Sequence, residues 1–281
     1  LDAYATTYLP AHPDAAGVID GLLVHGAASS EAAKVALANS AVGVKVLHLL
    51  SDQEAVKDEF EPAGASGYRL WEVAGTAHSD LFIGYQSVAG FGPRTAADTS
   101  QVDRAGYDEI IRNAGNYGAE LHPMLATCLV GGATMPMHYV TSTAIHDLNQ
   151  WVGGGRAPAN GPRFAFDDAG RQAVDEHGNS LGGIRMPPID VPVATYRSTA
   201  CPLGGITQPF TDSQIQSLYP TFAGYYDLMA SHAVAAVAQG WLLPEDATDL
   251  MVRVCAARAR WNEPDDSACA PVALPPFDSA R

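Results

Sequence analysis

Apolar residues run along this chain in two textures. Three short, near-continuous runs, "GVIDGLLVHGA" (17–27), "VKVLHLLS" (44–51) and "YRLWEVAG" (68–75), predict strands buried on both faces. Between the first two, "SSEAAKVALANS" (29–40) is Ala-rich and opens on serines, which predicts a helix. The opening "LDAYATTYL" spaces Leu1, Tyr4, Ala5, Tyr8 and Leu9 at helical intervals, and Pro10 and Pro13 are expected to stop it. Strand, helix, strand, loop, strand with such runs indicates an α/β fold: a mostly parallel sheet with helices on both faces.

After His78 the texture changes. "GFGPRTAADTSQ" (90–101) reads as loop and "YDEIIRNA" (107–114) as a short helix or turn. "MHYVTSTAIHDLNQWV" (137–152) sets Met137, Val140, Thr141, Ala144, Leu148, Trp151 and Val152 on one helical face. Residues 163–185 carry two turn signals, Asp168–Gly170 and His177–Asn179, and predict a small β-hairpin. "PPIDVPVATYRS" is extended, and helices follow over 221–240 and 244–261. The last of these opens with Pro244, Glu245 and Asp246 and closes with Arg253, Arg258 and Arg260, an order that suits the helix dipole.

Composition narrows the function classes. The formal charge of −15 argues against nucleic acid and anionic membranes as partners and favours neutral or cationic ligands. No apolar run reaches the roughly 18 residues of a bilayer span. The four cysteines form no C-x-x-C pair. Cys128 and Cys255 sit in apolar helical surroundings and read as buried thiols; Cys201 and Cys269 lie in Pro-rich loops where a disulfide can form. The compartment stays open, with a secreted or periplasmic location compatible. The histidines have no ligand-spaced partners, and His138 and His146 are eight apart, not four, so no metal and no cofactor is expected. His25 and His48, inside strands, read as structural, and Trp71 as core.

The strand ends carry the candidate chemistry. In open α/β sheets, sites form outside the carboxyl ends of the strands. Asp52 and Glu54 follow the second strand, and His78 follows the third. Acid and then histidine is the chain order of an α/β-hydrolase triad, in which a serine on a G-x-S-x-G turn comes first. No such turn occurs in the sequence; "GASGY" (64–68) comes near and lies after the acid. The serine is therefore expected about half a dozen residues upstream of Leu1, in polypeptide preceding this chain. An N-terminal-nucleophile enzyme released by cleavage is a weaker rival, since Leu1 offers no Ser, Thr or Cys at that position.

The segments "WEVAGTAHSD", "VLHLLSDQEAV" and "DEHGNSLGGIRMPPIDVPVATY", with the ending "FAGYYDLMASHAVAAVAQGWLLPEDATDL", resemble the family called the alpha/beta hydrolase domain family. The resemblance implies an α/β-hydrolase fold and serine-hydrolase chemistry without naming a substrate. The family pattern has Glu and then Asp after the acid strand, where this chain has Asp52 and then Glu54. By strand register the family's catalytic carboxylate position falls on Glu54, so the resemblance implies Glu54 as the triad acid, with Asp52 as the alternative acid or a brace for the loop. Arg185 in "GGIR" is a candidate for a substrate carboxylate, set against a structural arginine. Gly182 and Gly183 suggest close backbone approach.

The expected organisation is hydrolase core strands and helices over 1–84, a cap or wall over 85–220, and terminal helices packing back over 221–281. The expected activity is hydrolysis of a small carboxylic ester through an acyl-serine, with the N-terminal segment of the same hydrolase as partner. A lactone or amide would use the same parts, and an inactive hydrolase-fold binding protein is the alternative.

Overall fold

In the strand Lys45–Ser51 (β2), every residue after the first is buried. This computed structural model describes residues 1–12, 17–26, 30–38, 43–62, 66–81, 133–202, 204–261 and 268–277. The expected loop at 90–101 and helix at 107–114, and most of the expected cap before residue 133, lie outside them. β2 is the middle strand of a parallel sheet, flanked by Gly21–His25 (β1) and Tyr68–Val73 (β3). Leu23 pairs with Leu47, and Leu49 with Trp71. Each fully buried aliphatic side chain stabilises by roughly 1.5–3 kcal/mol, so the centre of this sheet anchors the fold.

Period-two alternation divides that burial between two cores. Leu47, Leu49, Trp71 and Val73 face one layer, built from Met137–Val152 (α2) and Phe222–Ala238 (α4) among others. Val46, Leu50, Tyr68 and Leu70 face the other, with Ala33, Leu37 and Ala38 of Glu31–Ala38 (α1) and with Ala5 and Leu9. The fold is the expected α/β, with helices on both faces. α2, from the stretch expected to form cap or wall, lies against β1 and β2.

Several boundaries differ from the sequence reading. Tyr4–Tyr8 winds as a π-helix and runs into a turn of α-helix, Leu9–Ala11, that contains Pro10. Proline at the first turn of that helix needs no N–H partner, so it does not end the segment. The hairpin at 163–185 is a three-piece meander: Phe164 bridges Gly182, Phe166 bridges Gln172, and Val174 bridges Ser180, all antiparallel. Its end returns to the main sheet, where Ile184 bridges Val73 in parallel. Gly183 permits that approach, because a Cβ there would lie 2.9 Å from the Glu72 carbonyl oxygen. The extended segment supplies Ala194–Arg197 (β4), paired antiparallel with Ile206–Pro209 (β5). A helix not read from the sequence, Asp212–Leu218 (α3), starts at Thr211, whose side chain accepts from the Gln214 N–H.

Pro244–Cys255 (α5) ends at Cys255 and continues as a 3₁₀ segment, Ala256–Trp261. Cys255 is not a buried thiol: it is bonded to Cys269, with Cα atoms 5.7 Å apart. Cys201 is disulfide-bonded too, and because Cys269 is taken by Cys255, the two loop cysteines that could have joined do not pair with each other. The bridge pins Val272, Leu274 and Phe277 of the tail against the main core. A closed loop of this length is worth about 3 kcal/mol. Replacing both Cys255 and Cys269 by serine is expected to lower the unfolding free energy by about 2–4 kcal/mol in denaturant titrations.

Candidate active site

The carboxyl ends of β1, β2 and β3 converge at one edge of the sheet. β2 ends at Ser51 and turns at once into the 3₁₀ segment Asp52–Glu54. The Ser51 N–H and hydroxyl both donate to Glu54 Oε2, at 2.7 and 2.8 Å. That leaves Oε1 to face outward, where it pairs with Nδ1 of His78. The His78 N–H donates to Gln53 Oε1 at 3.3 Å, and the Gln53 amide donates to the Cys201 carbonyl at 2.7 Å. The loop after β3 is therefore tied to the turn after β2 at both backbone and side chain.

Exposure is graded along this pair. The Glu54 side chain is 11% exposed and that of His78 38%. Nε2 of His78 makes no hydrogen bond to a described residue. An imidazole held at Nδ1 by a largely sheltered carboxylate, with Nε2 unengaged, is the arrangement that accepts a proton from a hydroxyl and steadies the resulting imidazolium.

Asp52 does something else. It is buried and accepts from the hydroxyls of Ser180 and Ser198, at 2.7 and 2.9 Å, and from the Gln172 amide. Burial raises its pKa above the ordinary carboxylate value, against the lowering effect of those donors. It braces three distant segments beneath the turn, while Glu54 holds the imidazole. Arg185 donates to Asp190 Oδ1 at 2.6 Å, to the Ile189 carbonyl at 3.2 Å, to Asp175 and to the Ser180 carbonyl. Those contacts are the ones a structural arginine makes.

β1 contributes what the sequence reading passed over. Gly26, immediately after it, has φ +102°, and a Cβ there would lie 2.9 Å from His78 Cε1 and 3.2 Å from Glu54 Oε1. His48 Nε2 donates to the Gly26 carbonyl at 2.8 Å, and the Tyr68 hydroxyl lies 2.6 Å from His48 Nδ1. Burial lowers the His48 pKa, which suits this neutral, structural imidazole. His25, the last residue of β1, is not only a strand residue. Its ring lies 6.0 Å from that of His78, and its Nε2 is buried without a hydrogen-bond partner among the described residues. Burial lowers its pKa; Glu54 opposes that shift, His78 adds to it, and Asp80 opposes it. The signal in the sequence was position alone: the last strand residue before a glycine, at the sheet edge that also carries the acid and His78.

A family model described as "Alpha/beta hydrolase domain" matches residues 2–252. The chain belongs to the alpha/beta hydrolase domain family. The searches of curated proteins and of solved structures returned no match. Membership in the alpha/beta hydrolase domain family agrees with the parallel sheet and with acid and histidine following consecutive strands. The Cys255–Cys269 staple and the tail beyond it lie outside the matched region. A cavity of about 620 Å³ opens beside the segment after Glu54, lined by Phe60, Glu61, Arg163, Phe164 and Phe166 among others; it includes neither His78 nor Glu54.

Two measurements test this geometry. Native Asp52 binds its proton more readily than the unfolded chain does, so its contribution to stability falls as pH rises from the ordinary carboxylate value through the raised one. Asp52→Asn is expected to remove that decline in unfolding free energies measured at rising pH from the ordinary carboxylate value upward. Gly26→Ala is expected to cost about 1–3 kcal/mol of stability, from backbone strain and the displaced His78 ring, in the same assay.

Proposed function

We propose that this hydrolase-fold protein is a serine hydrolase acting on a small carboxylic ester. The observation that carries the reading is the His78 imidazole, paired through Nδ1 with Glu54 and, among the described residues, unengaged at Nε2. The nucleophile is a serine supplied by polypeptide preceding Leu1. β1 offers a place for such a segment: it is an edge strand among the described residues, and all five of its residues are only half-buried.

In this reading His78 Nε2 takes the serine hydroxyl proton as the oxygen attacks the ester carbonyl. Glu54 holds the ring in the required tautomer and offsets the charge of the imidazolium. The imidazolium then gives its proton to the departing alcohol, which leaves an acyl-serine. Water repeats the sequence, with His78 again as base, and releases the acid. An ester suits this site better than an amide because an alkoxide is the better leaving group and asks less of the acid step.

The test is labelling of the full-length protein with a fluorophosphonate, followed by mapping of the modified peptide. The expected label is on a serine upstream of Leu1. His78→Ala is expected to slow labelling at least about a thousandfold and Glu54→Gln by a comparable factor. Asp52→Asn is expected to stay within about threefold of wild type, since Asp52 contacts hydroxyls and an amide and not the imidazole. Wild-type labelling by His78→Ala, or no labelling of the native protein, overturns the proposal.

A further inference from the structure

The loop carrying His78 is fastened two residues further on. The Asp80 side chain is fully inaccessible, at 0% exposure. Its Oδ2 accepts the backbone N–H of His138 at 3.2 Å and lies 3.1 Å from the His138 ring Nδ1. The next residue, Leu81, is buried and donates its N–H to the Ala133 carbonyl at 2.8 Å.

The recipient of this contact is the start of α2. Its N-cap position is Pro136, with no side-chain cap and no acidic residue in the first turn. A helix start leaves backbone N–H groups without partners and concentrates positive charge. Asp80 meets both needs from 58 positions away in the chain. The helix is itself set by the sheet. A Cβ on Gly21, at the start of β1, would lie 2.8 Å from Val152 and 3.1 Å from Leu148, both in the last turn of α2. α2 therefore runs back along β1, and its first turn comes to the carboxyl edge, where Gly26, Glu54 and His78 meet. The field of Asp80 also reaches His25, the neighbour of His78.

We propose that Asp80 is a positioning residue for His78: by capping α2 from outside the helix, it ties the histidine loop to an element registered on the sheet and so fixes the imidazole against Glu54. The assignment rests on the reading of His78 as the general base. It acts through backbone placement: Asp80 and Leu81 hold the outgoing end of the loop, and Gln53 holds the N–H of His78 itself.

The experiment compares Asp80→Ala, Asp80→Asn and wild type in the full-length protein, at a temperature where circular dichroism shows all three folded. Two quantities are read: the rate of fluorophosphonate acylation, and the downfield NMR resonance of the His78 Nδ1 proton shared with Glu54. Asp80→Ala is expected to slow acylation about tenfold to a hundredfold and to shift or broaden the resonance. Asp80→Asn keeps an acceptor oxygen for the His138 N–H, and is expected to recover the rate to within about threefold of wild type. If the alanine variant does not fold, Asp80→Glu lengthens the arm by one methylene and is expected to slow acylation about threefold to tenfold. An Asp80→Ala or Asp80→Glu protein that melts earlier yet acylates at the wild-type rate with an unmoved resonance overturns the assignment and leaves a stabilising cap only. A wild-type protein that never acylates defeats the hydrolase reading instead, and the resonance then decides the role of Asp80.

Discussion

Glu54 and His78 can meet only because two parallel strands end side by side. Ser51 is in register with Val73, and each strand then leaves the sheet at the same edge. Burial on both faces enforces this register. A slip of one residue would turn Leu47, Leu49, Trp71 and Val73 to the wrong core. The energy that aligns the acid and the histidine is therefore supplied well below them, by apolar side chains that take no part in any chemistry. The contact between Glu54 and His78 at the edge follows from that alignment rather than causing it.

Two carboxylates two residues apart receive opposite environments from this arrangement. Asp52 points into the protein, where hydroxyls of Ser180 and Ser198 and the Gln172 amide compensate its desolvation. Glu54 reaches the other way on a longer side chain, with one oxygen held by Ser51 and the other presented to the imidazole. Burial makes ionising Asp52 costly, while the largely sheltered Glu54 keeps a direct partner in the His78 ring. The shorter arm suits a brace buried among donors; the longer arm suits a carboxylate that must span the gap between two loops.

What could be read from the chain follows the range of the interactions. The Val/Leu runs of β2 and β3 announce themselves because a strand buried on both faces needs nothing but apolar residues. That Glu54 and His78 come together was legible because residues following adjacent parallel strands leave the sheet at the same edge. The register argument that favoured Glu54 over Asp52 depended on the same local pattern. α3 carries a local signal in Thr211 and Gln214, three apart at a helix start. Cysteine connectivity was not readable: spacing does not determine pairing, and Cys255 finds Cys269 only once α5 and the tail are folded together. The rim position of His25 is hard to read from the chain, because a shift of one position decides whether a side chain lies within the sheet or at its edge.

The least legible feature is the way the histidine loop is held, and the reason is physical. Local sequence gives α2 a poor start, since Pro136 has no side-chain acceptor to offer. That defect is visible in the sequence, but its remedy is not, because the compensating carboxylate comes from another loop. A helix that capped itself would have no need of Asp80, and the histidine loop would then lose one of its tethers. An unfavourable local choice in one element thus becomes a specific long-range contact that binds it to another. The same logic applies to Gly26, whose backbone is costly for other residues and whose missing Cβ leaves room for the imidazole. Around this edge of the sheet, the positions that look weakest as isolated secondary structure are those that fix where His78 sits.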